Sequence, residues 1–295
     1  MPHIEVRPAR PEDRDAVLTF CANTWEWGDY IEYVWDEWLH NPDGLLLVAT
    51  VDGRPAGITH MQMLTKTDAW LEGLRVDPEY RHQGLAKALD EAALVEAMRR
   101  GAAYVRLAID SRNTRSIEIT ERGHMHRIGA VALYLAPPLA SVMERRAVQE
   151  RAQLATPADL DDIINYLNVS SIFPVVGGVY YVGWKAYPIT AALLEAKIAA
   201  QQIYLLRRWD RLDGLAIAEP RTERDEPRLS LGYIDGPTVE SISLLAYDLR
   251  RRLTEMGLAG VRAYAPDMVM VRDAFTGIEY EWDGSVFYTY ERGLT

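Results

Sequence analysis

The sequence is poor in cysteine and lysine, has no surplus of positive charge and lacks a long apolar run. Its one cysteine among 295 residues, Cys21, excludes an internal disulfide and a cysteine-rich metal site. Only four of its 32 basic residues are lysine, a bias typical of a GC-rich genome rather than of a function. Acidic residues number 43, so the net charge is −11. A phosphate backbone would repel such a chain, which disfavours nucleic acid as a partner. The same charge favours cationic substrates, and an anionic cofactor could still be held by backbone dipoles. The longest uncharged apolar stretch, Ile128 to Met143, is interrupted by Pro137 and Pro138 and falls short of the roughly 20 residues of a spanning helix. The N-terminus, MPHIEVRPARPEDRD, has charges and prolines where a secretory signal has an apolar core. His124 and His126 share a strand face but are not accompanied by a further His/Cys/Glu cluster, so no metal is expected. These absences point to a cytoplasmic protein without membrane contact.

What is present is globular. Apolar residues make up 48% and charged residues 25%, and the length suits two domains of about 150 residues. One order of elements occurs twice. A helix opens at Pro11, and another at Thr156-Pro157 with Leu160, Ile163, Ile164 and Leu167 at helical spacing. A hairpin follows each, with turns expected at Asp52-Gly53 and near Asp213-Gly214. A further strand then leads into a long helix, 84–100 or 238–256, which ends at Gly101 or Gly257. Each half closes with a strand, a short helix, a glycine and a last strand, over 102–136 and 258–292. The expectation is α/β, an α+β mixed sheet, built by tandem duplication, with domains at 1–140 and 150–295 and a boundary near 137–153.

The halves differ in one loop. In RVDPEYRHQGLAKAL (75–89) a strand ends at Val76 and a helix starts near Gly84, with Arg81, His82 and Gln83 between them. Amides at a helix start lack intrahelical partners, and the dipole there favours an anion. Gly84 and Ala86 let the backbone approach closely, while Arg81 and His82 add side-chain donors. This is a diphosphate cradle that needs no metal. The second-half counterpart, Asp235 to Glu240, is two residues shorter, contains no arginine and carries two carboxylates.

The strand ending in Val76, the Asp77-Pro78-Glu79-Tyr80 turn and Arg81-x-x-Gly84-x-Ala86 resemble the acyl-CoA signature of the GNAT superfamily of N-acetyltransferases. The resemblance covers about 3–136 and extends more weakly over 150–292. It implies two tandem GNAT-like acyl-CoA N-acyltransferase domains, the second degenerate, with one acetyl-CoA per chain in the first. The cofactor would meet Leu74, Arg75 and Val76 of the strand, Arg81 to Lys87 of the loop and helix start (Arg81, His82, Gln83, Gly84, Leu85, Ala86, Lys87), and Asn113. The strand backbone would pair with the pantetheine amides, and an N–H of 74–76 would bind the thioester oxygen.

An alkyl amine with pKa near ~10.4 is protonated at neutral pH, and freeing its lone pair costs about 4.6 kcal/mol, so a base must sit near the acceptor. Glu72 is the candidate, on the strand face of Leu74 and Val76 and at a position where the family often carries its base. The alternative for Glu72 is a sheet-edge carboxylate paired with an arginine. The family's Asn-x-x-Ala-x-x-Leu-Tyr, whose tyrosine protonates the leaving thiolate, is replaced by Asn113 to Thr120 without the tyrosine. Tyr134 is a weak substitute, with sheet packing as its other reading.

Acceptor recognition is expected from 23–44, where Trp25, Trp27, Asp29 and Tyr30 stand among further aromatic and acidic residues. The other reading of this segment is a helix that buries Tyr30, Tyr33, Val34 and Trp38. The run DYIEYVWDEWL also loosely resembles the histidine N-acetyltransferase branch. The glycine- and tyrosine-rich 172–188 holds the equivalent place in the second half and reads as a loop over the pocket. The functional expectation is acetyl transfer to a small amine or amino acid, by a pseudo-dimeric monomer or a homodimer. The alternatives are a non-catalytic acyl-CoA sensor and a protein-lysine acetyltransferase.

Overall fold

The computed structural model describes residues 2–22, 24, 28–139, 151–223 and 226–294. They form two compact units. Residues up to Leu107, joined by those from Glu291 onward, make the first, and Ala108–Tyr290 makes the second.

In the first unit, β1 (Ile4–Pro8) is followed by a 3-10 turn at Pro11–Asp13, α1 (Arg14–Cys21) and α2 (Ile31–His40). Proline fixes the entry, but regular α-helix begins only at Arg14. Then come β2 (Gly44–Val51), β3 (Arg54–Met63), β4 (Asp68–Val76), α3 (Leu85–Arg99) and β5 (Tyr104–Asp110), whose end from Ala108 belongs to the second unit. The strands lie side by side in the order β1-β2-β3-β4-β5. The β2–β3 turn falls at Asp52-Gly53 as expected, both residues at positive φ (49° and 82°), as a type I′ hairpin turn requires. Buried Val17, Cys21, Ile31, Trp35 and Trp38 pack on Leu46, Val48 and Ile58. Helix α2 thus buries Trp35 and leaves Tyr33 83% exposed. The expected Tyr33 stripe is corrected by the helical period, because 31, 35 and 38 share one face. At the base of the β4–β5 pair, buried Arg106 bridges Asp68 and Glu291, and Leu294 N–H donates to Ala103 O at 2.8 Å. These contacts tie the chain's last residues into the first unit.

The second unit continues with α4 (Thr114–Arg122), β6 (His126–Ala136), β7 (Gln153–Leu154) and, after a 3-10 turn at Pro157–Asp159, α5 (Leu160–Val169). A hairpin, β8 (Val179–Val182) and β9 (Lys185–Pro188), precedes α6 (Ala191–Ala199). β10 (Ile203–Arg208), β11 (Arg211–Glu223), β12 (Glu226–Asp235), α7 (Val239–Met256), β13 (Val261–Pro266), α8 (Val269–Thr276) and β14 (Glu281–Gly293), whose end from Glu291 belongs to the first unit, complete it. Its strands run β14-β6-β13-β12-β11-β10-β7.

The repeat is visible in detail. β4 and β5 pair in parallel over Asp68↔Tyr104, Ala69↔Val105 and Trp70↔Arg106. β12 and β13 do the same over Leu229↔Val261, Ser230↔Arg262 and Leu231↔Ala263. The packing units cut the chain elsewhere than the repeat does, since β6 pairs with β13 and the residues from Glu291 pack in the first unit. Most of the expected linker, residues 140–150, lies outside the described residues.

Two expectations are corrected here. The β10–β11 turn sits at Trp209-Asp210, both at positive φ (47° and 58°). Asp213-Gly214 lies inside β11, where a Cβ on Gly214 would press on Leu206 at 3.3 Å and Asp235 O at 3.4 Å. That glycine serves close packing rather than a turn. The 172–188 run is ordered as a 3-10 turn (Phe173–Val176) and the β8–β9 hairpin. Among the described residues no helix is long and apolar enough to cross a membrane.

Candidate active site

The candidate cradle is built by local chemistry at the end of β4. Asp77 N–H donates to Ala56 O, and the Asp77 carboxylate accepts from Glu79 N–H at 2.9 Å, fixing the 3-10 turn Pro78–Tyr80. The chain then turns through His82 (φ 64°) and Gly84 (φ 88°) into α3. Gly84 is the N-cap and offers no side-chain cap, and the first turn of α3 contains no acidic residue. The first amides of α3 therefore remain available to an outside acceptor. Among the described residues, nothing beyond its chain neighbours lies within 4 Å of where a Cβ on Gly84 would point. Arg81, His82, Gln83 and Lys87 are exposed around this opening, while Leu85 is buried and anchors the helix.

The counterpart in the second unit is closed by its own side chains. Thr238 caps α7, accepting from Ser241 N–H at 3.1 Å, and Ser241 Oγ donates to Asp213 at 2.6 Å. Glu240 pairs with Arg208 at 3.0 Å. Asp235 is buried beneath the hydroxyls of Tyr233 (2.5 Å), Ser170 (2.5 Å) and Tyr166 (3.2 Å). Burial raises its pKa.

A β-bulge separates Glu72 from the end of β4. The β3–β4 register runs His60↔Glu72, then Ile58↔Arg75 and Gly57↔Val76, so β4 carries one extra residue after Glu72. Gly73 stands there with φ 71°, as a bulge glycine does. The bulge reverses the alternation, and Glu72 shares its face with Arg75 rather than with Leu74 and Val76. This corrects the expected face, because strict period-2 counting holds only in an unbulged strand. A bulge also leaves backbone groups outside the ladder, next to Leu74.

On that face Glu72 meets His60, which the sequence reading missed. Glu72 Oε1 lies 3.0 Å from His60 Nδ1, with the side chains 12% and 0% exposed. The His60 ring stacks on Trp38 at 4.6 Å and 7°. Arg75 donates to Asp29 at 2.7 and 3.3 Å and lies over the Tyr30 ring at 5.3 Å. Burial pushes the Tyr30 hydroxyl up to about 12. The Asp29 and Arg75 charges thus meet each other, and the Tyr30 ring packs edge-on against Trp38. Trp25 and Trp27 lie outside the described residues. Burial also drives the Cys21 thiol up to about 12, which leaves it an inert core residue.

The remaining candidates belong to the second unit. Asn113 caps α4, its side chain accepting from Ser116 N–H at 3.1 Å. Tyr134 is 3% exposed in that unit's core, packed edge-on against Phe275 at 5.0 Å, and burial raises its pKa. Among the described residues no group of three or more metal-ligating side chains occurs.

Residues 14–124 match the Acetyltransferase (GNAT) family. Solved structures with the same fold cover the chain from end to end. A candidate acetyltransferase of Thermoplasma acidophilum is 18% identical over 98% of this chain and 99% of its own, with a TM-score of 0.57. A GCN5-related N-acetyltransferase of Sphaerobacter thermophilus is 13% identical over 98% and 95%, at 0.61. A tandem GNAT protein from the clavulanic acid biosynthesis pathway is 14% identical over 99% and 98%, at 0.54. No curated protein matches. The chain therefore carries a GNAT acetyltransferase domain, and its overall fold is that of tandem GNAT proteins.

Proposed function

We propose that the protein is a cytoplasmic acetyl-CoA-dependent N-acetyltransferase that acts on a primary amine of a small molecule or amino acid, by direct attack within a ternary complex. The observation that carries this reading is the uncapped start of α3 behind Gly84, set directly after a strand bulged at Gly73. The fit to a CoA diphosphate is chemical. The start of α3 has no side-chain cap, exposed Arg81 and His82 precede it, and no carboxylate occupies the helix's first turn. When bound, acetyl-CoA would supply the thioester acyl group. The chain's own residues would do the rest. Amides beside the bulge, near Leu74, would orient the acyl oxygen. Glu72 would take the proton of the acceptor ammonium, and holding both reactants together would supply most of the acceleration.

We assign one cofactor per chain, to the first of two repeats with bounds near 1–140 and 150–295. The closed start of α7 and the acid Asp235 support this, because neither would receive a diphosphate. A non-catalytic acyl-CoA-binding role draws on two observations: Tyr134 packs in a core, and Thr120 stands where the family has its acid.

The test is isothermal titration with acetyl-CoA followed by release of free thiol over a panel of amines, including amino acids such as histidine. Binding of about one equivalent with amine-dependent release is expected. Binding without release from any amine would establish the sensing role instead, and no binding at sub-millimolar concentration would remove the cradle.

A further inference from the structure

We propose that His60 is a positioning residue for acetyl transfer: its Nδ1–H holds one oxygen of Glu72, and Trp38 holds the ring that makes the bond. The inference rests on the reading of Glu72 as the base.

The geometry fixes the proton. His60 is fully buried, and among the described residues its Nε2 has no hydrogen-bond partner. It faces Gly44, where a Cβ would come within 2.5 Å of Nε2. An N–H buried there without an acceptor would forfeit its hydration, and an imidazolium would forfeit far more. At Nδ1 the ring meets a carboxylate oxygen at 3.0 Å, which repels a lone pair and accepts a proton. A ring with its proton on Nδ1 satisfies that end and leaves at Nε2 a lone pair rather than a stranded N–H.

Such a ring cannot relay the ammonium proton, because its second nitrogen is sealed. It can hold the Glu72 carboxylate in one orientation. The holding is rigid because the ring lies flat on Trp38, and Trp38 is itself pinned against Gly73, where a Cβ would approach the indole to 2.5 Å. One aromatic side chain thus touches both the bulge and the histidine that orients the carboxylate. His60 faces Glu72 across the β3–β4 ladder.

The test compares His60→Phe, which keeps a ring on Trp38 and removes the donor, with His60→Asn, whose amide nitrogen can take the place of Nδ1. In His60→Phe, kcat is expected to fall about 10- to 100-fold, the rate equivalent of a lost hydrogen bond to a charged group. KM for the amine and Kd for acetyl-CoA should stay within about threefold, and His60→Asn should recover most of the rate. Glu72→Gln is measured alongside. If Glu72→Gln loses turnover while His60→Phe keeps it, the positioning role is overturned and the base stands. If both keep it, the base itself is overturned. Imidazole 15N NMR of the unsubstituted protein gives a second readout that needs no turnover. A proton on Nδ1 with a bare Nε2 supports the inference, and a proton on Nε2 overturns it.

Discussion

The backbone carbonyl of Tyr181 lies against Gly232, so close that a Cβ on that glycine would come within 1.9 Å of the oxygen. Gly232 is the bulge residue of β12, where the register jumps from Ile217↔Tyr233 to Ala218↔Leu231. The Tyr181 ring stacks on Tyr264 of β13 at 5.3 Å, and its hydroxyl bonds Thr289 at 2.6 Å. β8 thus covers the second repeat's bulge, and Tyr181 reaches both β13, through Tyr264, and β14, through Thr289. Gly232→Ala should destabilise the protein by about 2 kcal/mol or more, since backbone cannot yield as a side-chain tip can. Chemical denaturation checks this. A Gly232→Ala variant as stable as the parent would show that β8 is not seated there.

The cradle predicts a selective loss of affinity. Arg81→Ala removes a charged donor beside the helix start, and Gly84→Ala forces a side chain into φ 88°, at a cost of about 1–2 kcal/mol that shifts the neighbouring amides. Each should weaken acetyl-CoA by about 5- to 50-fold. S-acetylpantetheine, which lacks the diphosphate, should bind both variants as it binds the parent. Equal losses for the two ligands in titration calorimetry would mean that the loop does not read phosphate.

For Glu72→Gln the expectation is a kcat lower by about 10²- to 10⁴-fold, the usual range for a removed base, with acetyl-CoA affinity unchanged. The glutamine keeps the size and can still accept the His60 hydrogen bond. A change in cofactor Kd with kcat intact would move Glu72 from the chemistry to the binding surface.

Local signals were readable in the sequence, and long-range ones were not. The candidate cradle is a strand, a turn and a helix start within fifteen residues, so the uncapped helix start was legible around Arg81-x-x-Gly84-x-Ala86 itself. The Asp52-Gly53 turn was equally local. The Glu72 partner required the β3–β4 register, and that register contains a bulge. Gly73 inside a strand was the available sign of it, and moving one residue changes which side chains face each other. The Asp213-Gly214 pair carried the turn signature, but three neighbours packed around Gly214 put the turn at Trp209-Asp210. Helix α6 had its own signal, Thr190 as cap with Leu194 and Ile198 four apart. The duplication was legible as an order of elements, whereas the packing of Glu291 with Arg106 joins residues 185 apart and leaves no local trace.

Asp90 predicts a pH dependence of stability confined to one range. It is half-buried on α3, and burial, with a smaller contribution from the Glu91 charge, raises its carboxyl to about 6. The unfolded value is near ~3.9. Between the two values the folded state holds a proton that the unfolded state has released, so stability falls as pH rises from about 4 to 6 and is level above that. Below about 4 both states are protonated and the penalty is absent. Asp90→Asn keeps the shape and removes the charge. At pH 8 it should be more stable than the parent by on the order of 1–2 kcal/mol, seen as a Tm higher by about 2–4 °C per kcal/mol. At pH 4 the two proteins should melt together. A gain of equal size at both pH values would assign the effect to packing around α3 rather than to the ionised carboxylate.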